Sequence, residues 1–167
     1  MSRLTRSQIL MESAHLWARR STCERNRVGA SVVIDGRVLM SGYNGAPPGM
    51  PHCEHRCSCL KGEAIKKYVH NLAHVPGCTY NDPCIVSAHA EQNAINSCAR
   101  YGVATQGAEM YITLSPCRSC AMSIITAGII AVTYFEQYRD ISGVELLQGG
   151  GLVVEQYSEL STRTSGS

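Results

Sequence analysis

His89-Ala90-Glu91 and Pro116-Cys117-Arg118-Ser119-Cys120 place one imidazole, two thiols and one carboxylate in two short motifs. A neutral imidazole and two thiolates fill three positions of a tetrahedral zinc shell and leave the fourth for water, which is how a catalytic zinc site differs from a closed structural one. Water held there ionises near neutral pH. Cys117 and Cys120 are three residues apart, so at the start of a helix they share one face and can grip one ion. Glu91 stands two residues beyond His89 and is placed to accept a proton from that water and return it to a substrate as a general acid.

Each motif alone has a plainer reading. A Cys-x-x-Cys serves equally as a redox pair or as half of a structural zinc knuckle, and His-Ala-Glu as the surface of a helix. Their combination, with a proline before the first cysteine and a glutamate that need not be a ligand, is the signature of zinc-dependent nucleobase deaminases. The glutamate separates this reading from a purely structural zinc, which has no use for it.

The elements that must position these groups follow from size and patterning. With 167 residues and 44% hydrophobic composition, the chain can fill one core and is too short for two ordinary domains. One domain over residues 1–160 is expected, with a disordered tail over 161–167. The formal net charge of +2 is scattered apart from short basic pieces such as Arg19 to Arg27. It suffices for one phosphate, and argues against a nucleic-acid surface as partner. No apolar run of about 18 residues and no signal-peptide core are present, so a soluble, cytoplasmic protein without a membrane partner is expected. In that compartment the nine cysteines read as thiolates for metal rather than as disulfides.

Leu10, Ala14, Trp17 and Ala18 recur at helical spacing and predict an amphipathic helix over 7–20 that covers a sheet. Residues 28–34 and 38–43 read as strands joined by Asp35-Gly36, a strong hairpin signal. A glycine- and proline-rich break follows, and then a long cysteine-bearing connection over 50–88 with a helix at 60–72, which needs its own fastening. A helix over 89–100 buries Ala90, Ala94, Ile95 and Cys98, the last as a plain buried thiol. Strands follow at 109–113, 131–134 and 152–154. Between them lie a helix with Pro116 in its first turn and a face of Ala121, Ile124, Ile125 and Gly128, and a short helix at 143–147. This order predicts a three-layer α/β/α domain around a mixed five-stranded sheet, with both metal motifs at helix N-termini, where the helix dipole favours thiolate over thiol.

The chain resembles the deoxycytidylate deaminase family of the cytidine deaminase-like superfamily from about Arg20 to Arg139. The resemblance rests on Ser21-Thr22-Cys23-Glu24-Arg25, Val28-Gly29-Ala30, Gly42-Tyr43-Asn44-Gly45, His52-Cys53, His89-Ala90-Glu91-Gln92-Asn93-Ala94-Ile95 and Thr113-Leu114-Ser115-Pro116-Cys117-Arg118-Ser119-Cys120-Ala121. It implies hydrolytic deamination of dCMP to dUMP at cytosine C4, supplying a thymidylate precursor. Zinc would be held by His89, Cys117 and Cys120, with Glu91 protonating N3 and later the leaving amine. Asn44 matches an asparagine that contacts the sugar, and Ala90 and Ser115 match residues that line the pocket through their backbones. For the phosphate, Arg25, Arg27, Tyr138 and Arg139 are candidates. Tyr138 resembles a tyrosine that lies over the substrate, and Arg27 is the favoured arginine; ordinary surface charge is the alternative for each arginine.

The resemblance also implies a second, structural zinc on Cys23, Cys53, Cys59 and Cys84, as in bacterial and phage members. Four thiolates there would close a shell and tie the long connection to the first helix. Cys57 in place of Cys59, and Cys78, are rival ligands, and buried free thiols are the alternative. The family is usually a homohexamer, activated by dCTP with Mg2+ and inhibited by dTTP, and Gly42, Tyr43, Asn44 and Gly45 resemble the segment around the effector pocket. Two rival functions share the zinc motifs: deamination of a base within tRNA or DNA, and a non-catalytic zinc protein used for assembly, for example in a DNA-uptake operon. The modest charge tells against the first, and intact Glu91 against the second.

Overall fold

The computed structural model describes residues 3–23, 26–49 and 87–158. In chain order these form α1 (Arg6–Ala18), β1 (Gly29–Ile34), β2 (Arg37–Tyr43), α2 (Ala90–Tyr101), β3 (Glu109–Leu114), α3 (Arg118–Thr126), β4 (Ala131–Glu136), α4 (Ser142–Gly149) and β5 (Val153–Gln156). The sheet runs β2-β1-β3-β4-β5. β1 is antiparallel to β2 and β3, whereas β3, β4 and β5 are parallel, so the sheet is mixed as expected. The expected helix at 60–72, the tail at 161–167, Arg25, His52 and Cys53, Cys57, Cys59, Cys78 and Cys84 lie outside the described residues. Among the described residues, no helix is long and apolar enough to cross a membrane.

Alternation along the strands divides the sheet into two faces. Ala30, Val32, Met110, Ile112 and Val132 pack against Ala94, Cys98, Ala121, Ile124 and Leu147 of the three later helices. Val33 and Tyr111 point the other way, against Leu10, Met11 and Ala14 of α1. The result is the three-layer arrangement that the element order predicts.

Local chemistry accounts for most of the boundaries. A capping box starts α1: the Gln8 N–H donates to Thr5 Oγ1 (3.2 Å) and the Thr5 N–H to Gln8 Oε1 (2.7 Å). Asp35 and Gly36 both take positive φ, 51° and 69°, which a two-residue hairpin turn of this type requires. The pairing shifts between Val32 and Val33, whose partners are Met40 and Val38, so Leu39 is an extra residue that bulges from β2. Gly102 ends α2 in the left-handed region, at φ 68°.

Two expectations are corrected. Trp17 is 40% exposed, and Met11 takes the core position instead. An added Cβ at Gly29 would strike the Ala14 carbonyl and lie 2.6 Å from the Ala18 nitrogen. Helix and strand backbones therefore touch directly, and no room remains beneath the helix for an indole. Pro116 precedes its helix rather than opening it, because the chain leaving β3 stays extended. The Ser115 N–H is still bonded to the Glu136 carbonyl (2.8 Å), and Cys117, at φ −72° and ψ 168°, is the N-cap.

β2, β3 and β4 run in one direction, so their carboxyl ends share one edge of the sheet with the start of β1. The helices that follow them begin at that edge, which is where ligands bind in open α/β sheets. If the direct contact of α1 with β1 sets the spacing of these two layers, Gly29→Ala should cost about 1–3 kcal/mol by overpacking. Urea unfolding checks this, and an unchanged midpoint and slope would show that the layers yield freely.

Candidate metal and active site

Two helix starts meet at the carboxyl edge. His89 is the N-cap of α2, extended at φ −76° and ψ 156°, and Cys117 holds the same position on α3. Cys120 follows at the third residue of α3 and is fully buried. His89 Nδ1 lies 3.2 Å from Cys120 Sγ and 3.4 Å from Cys117 Sγ, and the three ligand atoms lie within 4.8 Å of one another. A tetrahedral zinc with ordinary bond lengths separates nitrogen from sulfur by about 3.6 Å. The cluster needs to open by only a few tenths of an ångström to hold one, so its donor set and spacing both fit zinc.

The Cys120 thiol donates to Cys117, which with help from His89 and the Ser119 hydroxyl (3.2 Å) lowers the Cys117 thiol to about 3 against the opposing effect of burial. Cys120 is pushed up, first by that same bond and then by burial. A divalent ion held by His89, Cys117 and Cys120 would draw both sulfurs to thiolate.

Glu91 is 4% exposed and stands in the first turn of α2, beside the ligands without belonging to the cluster. Burial raises its carboxyl above the ordinary range, against the lowering effects of its own backbone N–H and the nearby His89. A carboxyl raised in this way is suited to accept a proton and give it back. The Gln92 side chain caps the start of α2 by accepting the His89 N–H at 3.4 Å. Gln92 carries no role in the motifs, although a side-chain acceptor three residues after an N-cap is the capping-box spacing. The Asn93 amide donates to the Tyr43 carbonyl at 2.7 Å, and nothing in local spacing marks that bond.

The expected substrate residues lie along the same edge. Asn44 Oδ1 accepts the Val28 N–H and its amide donates to the Asn26 carbonyl, both at 2.8 Å, so this side chain braces the strand entry. Ala90 is fully buried between His89 and Glu91. Ser115 Oγ accepts the Tyr138 N–H (2.8 Å) and the Gln137 side chain (2.9 Å), pinning the loop after β4 to the residue before Pro116. Tyr138 is half-buried beneath the exposed Arg139, whose guanidinium lies 5.8 Å from the ring centre; Arg27 is exposed. Gly42 and Gly45 are buried, the latter paired with Ala88. Cys23 is half-buried, and Cys98 is a fully buried thiol in the core, as expected.

Residues 4–136 match the family model described as the cytidine and deoxycytidylate deaminase zinc-binding region. ComE operon protein 2 of Bacillus subtilis is 40% identical over 157 residues, covering 93% of this chain and 73% of that protein. The deoxycytidylate deaminase of Mycobacterium phage D29 is 38% identical over 137 residues, covering 80% of this chain and 97% of that protein. Among solved structures, the dCMP deaminase of cyanophage S-TIM5 in complex with dCMP and dUMP superposes with a TM-score of 0.73. It is 31% identical, covering 94% of this chain and all of that one.

The ligand set predicts that His89→Ala, Cys117→Ser and Cys120→Ser each weaken zinc binding by at least about 100-fold, more than the loss of an outer hydrogen bond. Cys98→Ser should leave it unchanged. Competition with a chromogenic chelator measures both, and equal retention by all four variants would remove the cluster as the metal site.

Proposed function

The chain belongs to the cytidine and deoxycytidylate deaminase family, and on that premise we propose that it converts dCMP and water to dUMP and ammonia. The observation that carries this reading is the buried Glu91 carboxyl beside, and outside, the His89, Cys117 and Cys120 cluster. Zinc bound by those three residues supplies the Lewis acidity that lets water lose a proton near neutral pH. Glu91 collects that proton and delivers it to cytosine N3, then passes the second proton of the water to the departing amine. C4 gains oxygen and loses ammonia, and Glu91 ends as it began.

The surrounding residues take the roles that the edge of the sheet allows. The Ala90 and Ser115 backbones line the base, the second N–H of the Asn44 amide serves the sugar, and Tyr138 lies over the substrate with Arg27 reaching the phosphate. Support also comes from the phage relatives, whose names and bound nucleotides concern dCMP. An assembly-only role, which the operon name of the Bacillus relative brings to mind, leaves a carboxyl buried at a cost and without use.

The finer proposals are these. Residues 1–160 act as one cytoplasmic catalytic domain that supplies dUMP for thymidylate synthesis. Six copies assemble, dCTP with Mg2+ activates and dTTP inhibits through the segment from Gly42 to Gly45, and a second zinc is held by Cys23, Cys53, Cys59 and Cys84.

Ultraviolet-monitored deamination should show dCMP consumed in preference to deoxycytidine and dCTP. Glu91→Gln should lower turnover by about 10²–10⁴-fold while zinc content and folding persist; undiminished turnover would take Glu91 out of the mechanism. Fully loaded protein should carry two zinc ions per chain and answer to dCTP and dTTP. One zinc, or a rate curve that neither triphosphate alters, would end the corresponding proposal.

A further inference from the structure

We infer that Asn93 is a positioning residue: its amide moors the first turn of α2 to β2 and thereby sets where His89 and Glu91 stand relative to Cys117 and Cys120. The Asn93 Nδ2 group donates to the Tyr43 carbonyl across 2.7 Å. On one side of this bond, Gly42 lies so close to the helix that an added Cβ would strike the Ala90 carbonyl, lying 2.5 Å from the Ala94 nitrogen. On the other side, Gly45 and Ala88 exchange two backbone hydrogen bonds of 3.1 and 3.0 Å. Residues 88–94, which include His89 and Glu91, are thus fastened to 42–45 at three points.

The anchor itself is fixed. Tyr43 pairs with Gly29 in the sheet, its ring stacks on Trp17 (6.3 Å between centres, 10° between planes), and the Arg20 guanidinium lies 6.0 Å from its ring centre. The cysteine half of the site is held by different elements. Ser115 bonds to Glu136 and Tyr138, and an added Cβ at Gly143 would strike the Pro116 carbonyl, so α4 rests on the Pro116–Cys117 backbone. The two halves therefore come into register through the sheet as well as through the contact of α2 with α3, and the Asn93 bond is a side-chain link from α2 to β2 on the histidine side.

Asn93 is half-buried rather than enclosed, so water is an available alternative partner and burial does not force the bond. Its leverage comes from helix length. α2 has 12 residues and is about 18 Å long, so a tilt of about 5° about its far end moves its first turn by roughly 1.5 Å. A displacement of that size at reacting groups costs on the order of 10²-fold in rate.

The test uses the zinc-loaded chain of 167 residues carrying Asn93→Leu, close in size but unable to donate, with Asn93→Asp beside it and Asn93→Ala if the first does not fold. The expected result for dCMP is a fall in kcat of at least about 30-fold, with KM within about threefold and zinc content retained. Asn93→His, whose ring N–H has similar reach, should recover part of the loss. The same variants loaded with Co2+ should show shifted d–d and thiolate charge-transfer bands, since His89 moves relative to the two sulfurs. A kcat within threefold of the parent with an unchanged cobalt spectrum would overturn the inference. So would a loss that merely follows zinc occupancy and is not recovered by Asn93→His. The kinetic readout rests on the proposed dCMP activity and the cobalt spectrum does not. A parent chain inactive on dCMP would therefore count against the proposed function, and the spectra would still decide the role of Asn93.

Discussion

One imidazole and two thiolate donors must converge within a few ångströms although His89 is 28 and 31 residues away from the two sulfurs and starts a different helix. A zinc shell tolerates errors of only a few tenths of an ångström, so the relative placement of two helix starts is the constraint that the rest of the fold serves. The structure meets it with backbone-on-backbone contacts. At Gly42 the start of α2 lies directly on β2, and at Gly143 the start of α4 lies directly on the Pro116–Cys117 peptide. Such contacts fix distance through covalent geometry rather than through side chains that can change rotamer. Hydrogen bonds from Asn93 and to Ser115 then fix orientation.

The same geometry governs the electrostatics. Both helix starts lie at the cluster, and the Cys120 backbone N–H in the first turn of α3 bonds the Cys117 sulfur, which favours the thiolate that a metal requires. Glu91 shares that edge but is enclosed, and enclosure raises its carboxyl. One short stretch thus places a nitrogen donor at the N-cap and a proton carrier in the following turn. Shifting the helix start by a single residue would turn the helix by about 100° and bring Ala90 to the ligand position.

Much of this was legible in the sequence because it is local. Asp35-Gly36 has one good solution between apolar runs, and His89, Glu91, Cys117 and Cys120 are recognisable from residue type and spacing. What escaped notice is tertiary. Trp17 fits the helical period of a buried face, but the direct contact of Gly29 with Ala14 and Ala18 leaves no space for its ring. Pro116 suits a first helical turn, yet the bond from Ser115 to Glu136 keeps the chain extended for two more residues. Asn44 reads as a ligand contact, while its amide also braces Asn26 and Val28. The cysteines of the long connection lie outside the described residues, and the second metal rests on the resemblance.

That bracing bears on how an effector could act. The segment from Gly42 to Gly45 accepts a hydrogen bond from Ser21 after α1, holds the entry to β1 through Asn44, carries the anchor of Asn93 and pairs with Ala88 just before His89. A ligand that contacts this segment differently in two arrangements would shift the first turn of α2, and with it both His89 and Glu91. Spatial connection supplies only the route; the coupling energy must come from that difference in contacts. A coupling of about 1–3 kcal/mol, typical of allosteric sites, is comparable with the roughly 1 kcal/mol of a single hydrogen bond. Loss or gain of one bond at Tyr43 is therefore a large enough event to carry such a response, and no wider rearrangement of the sheet is required.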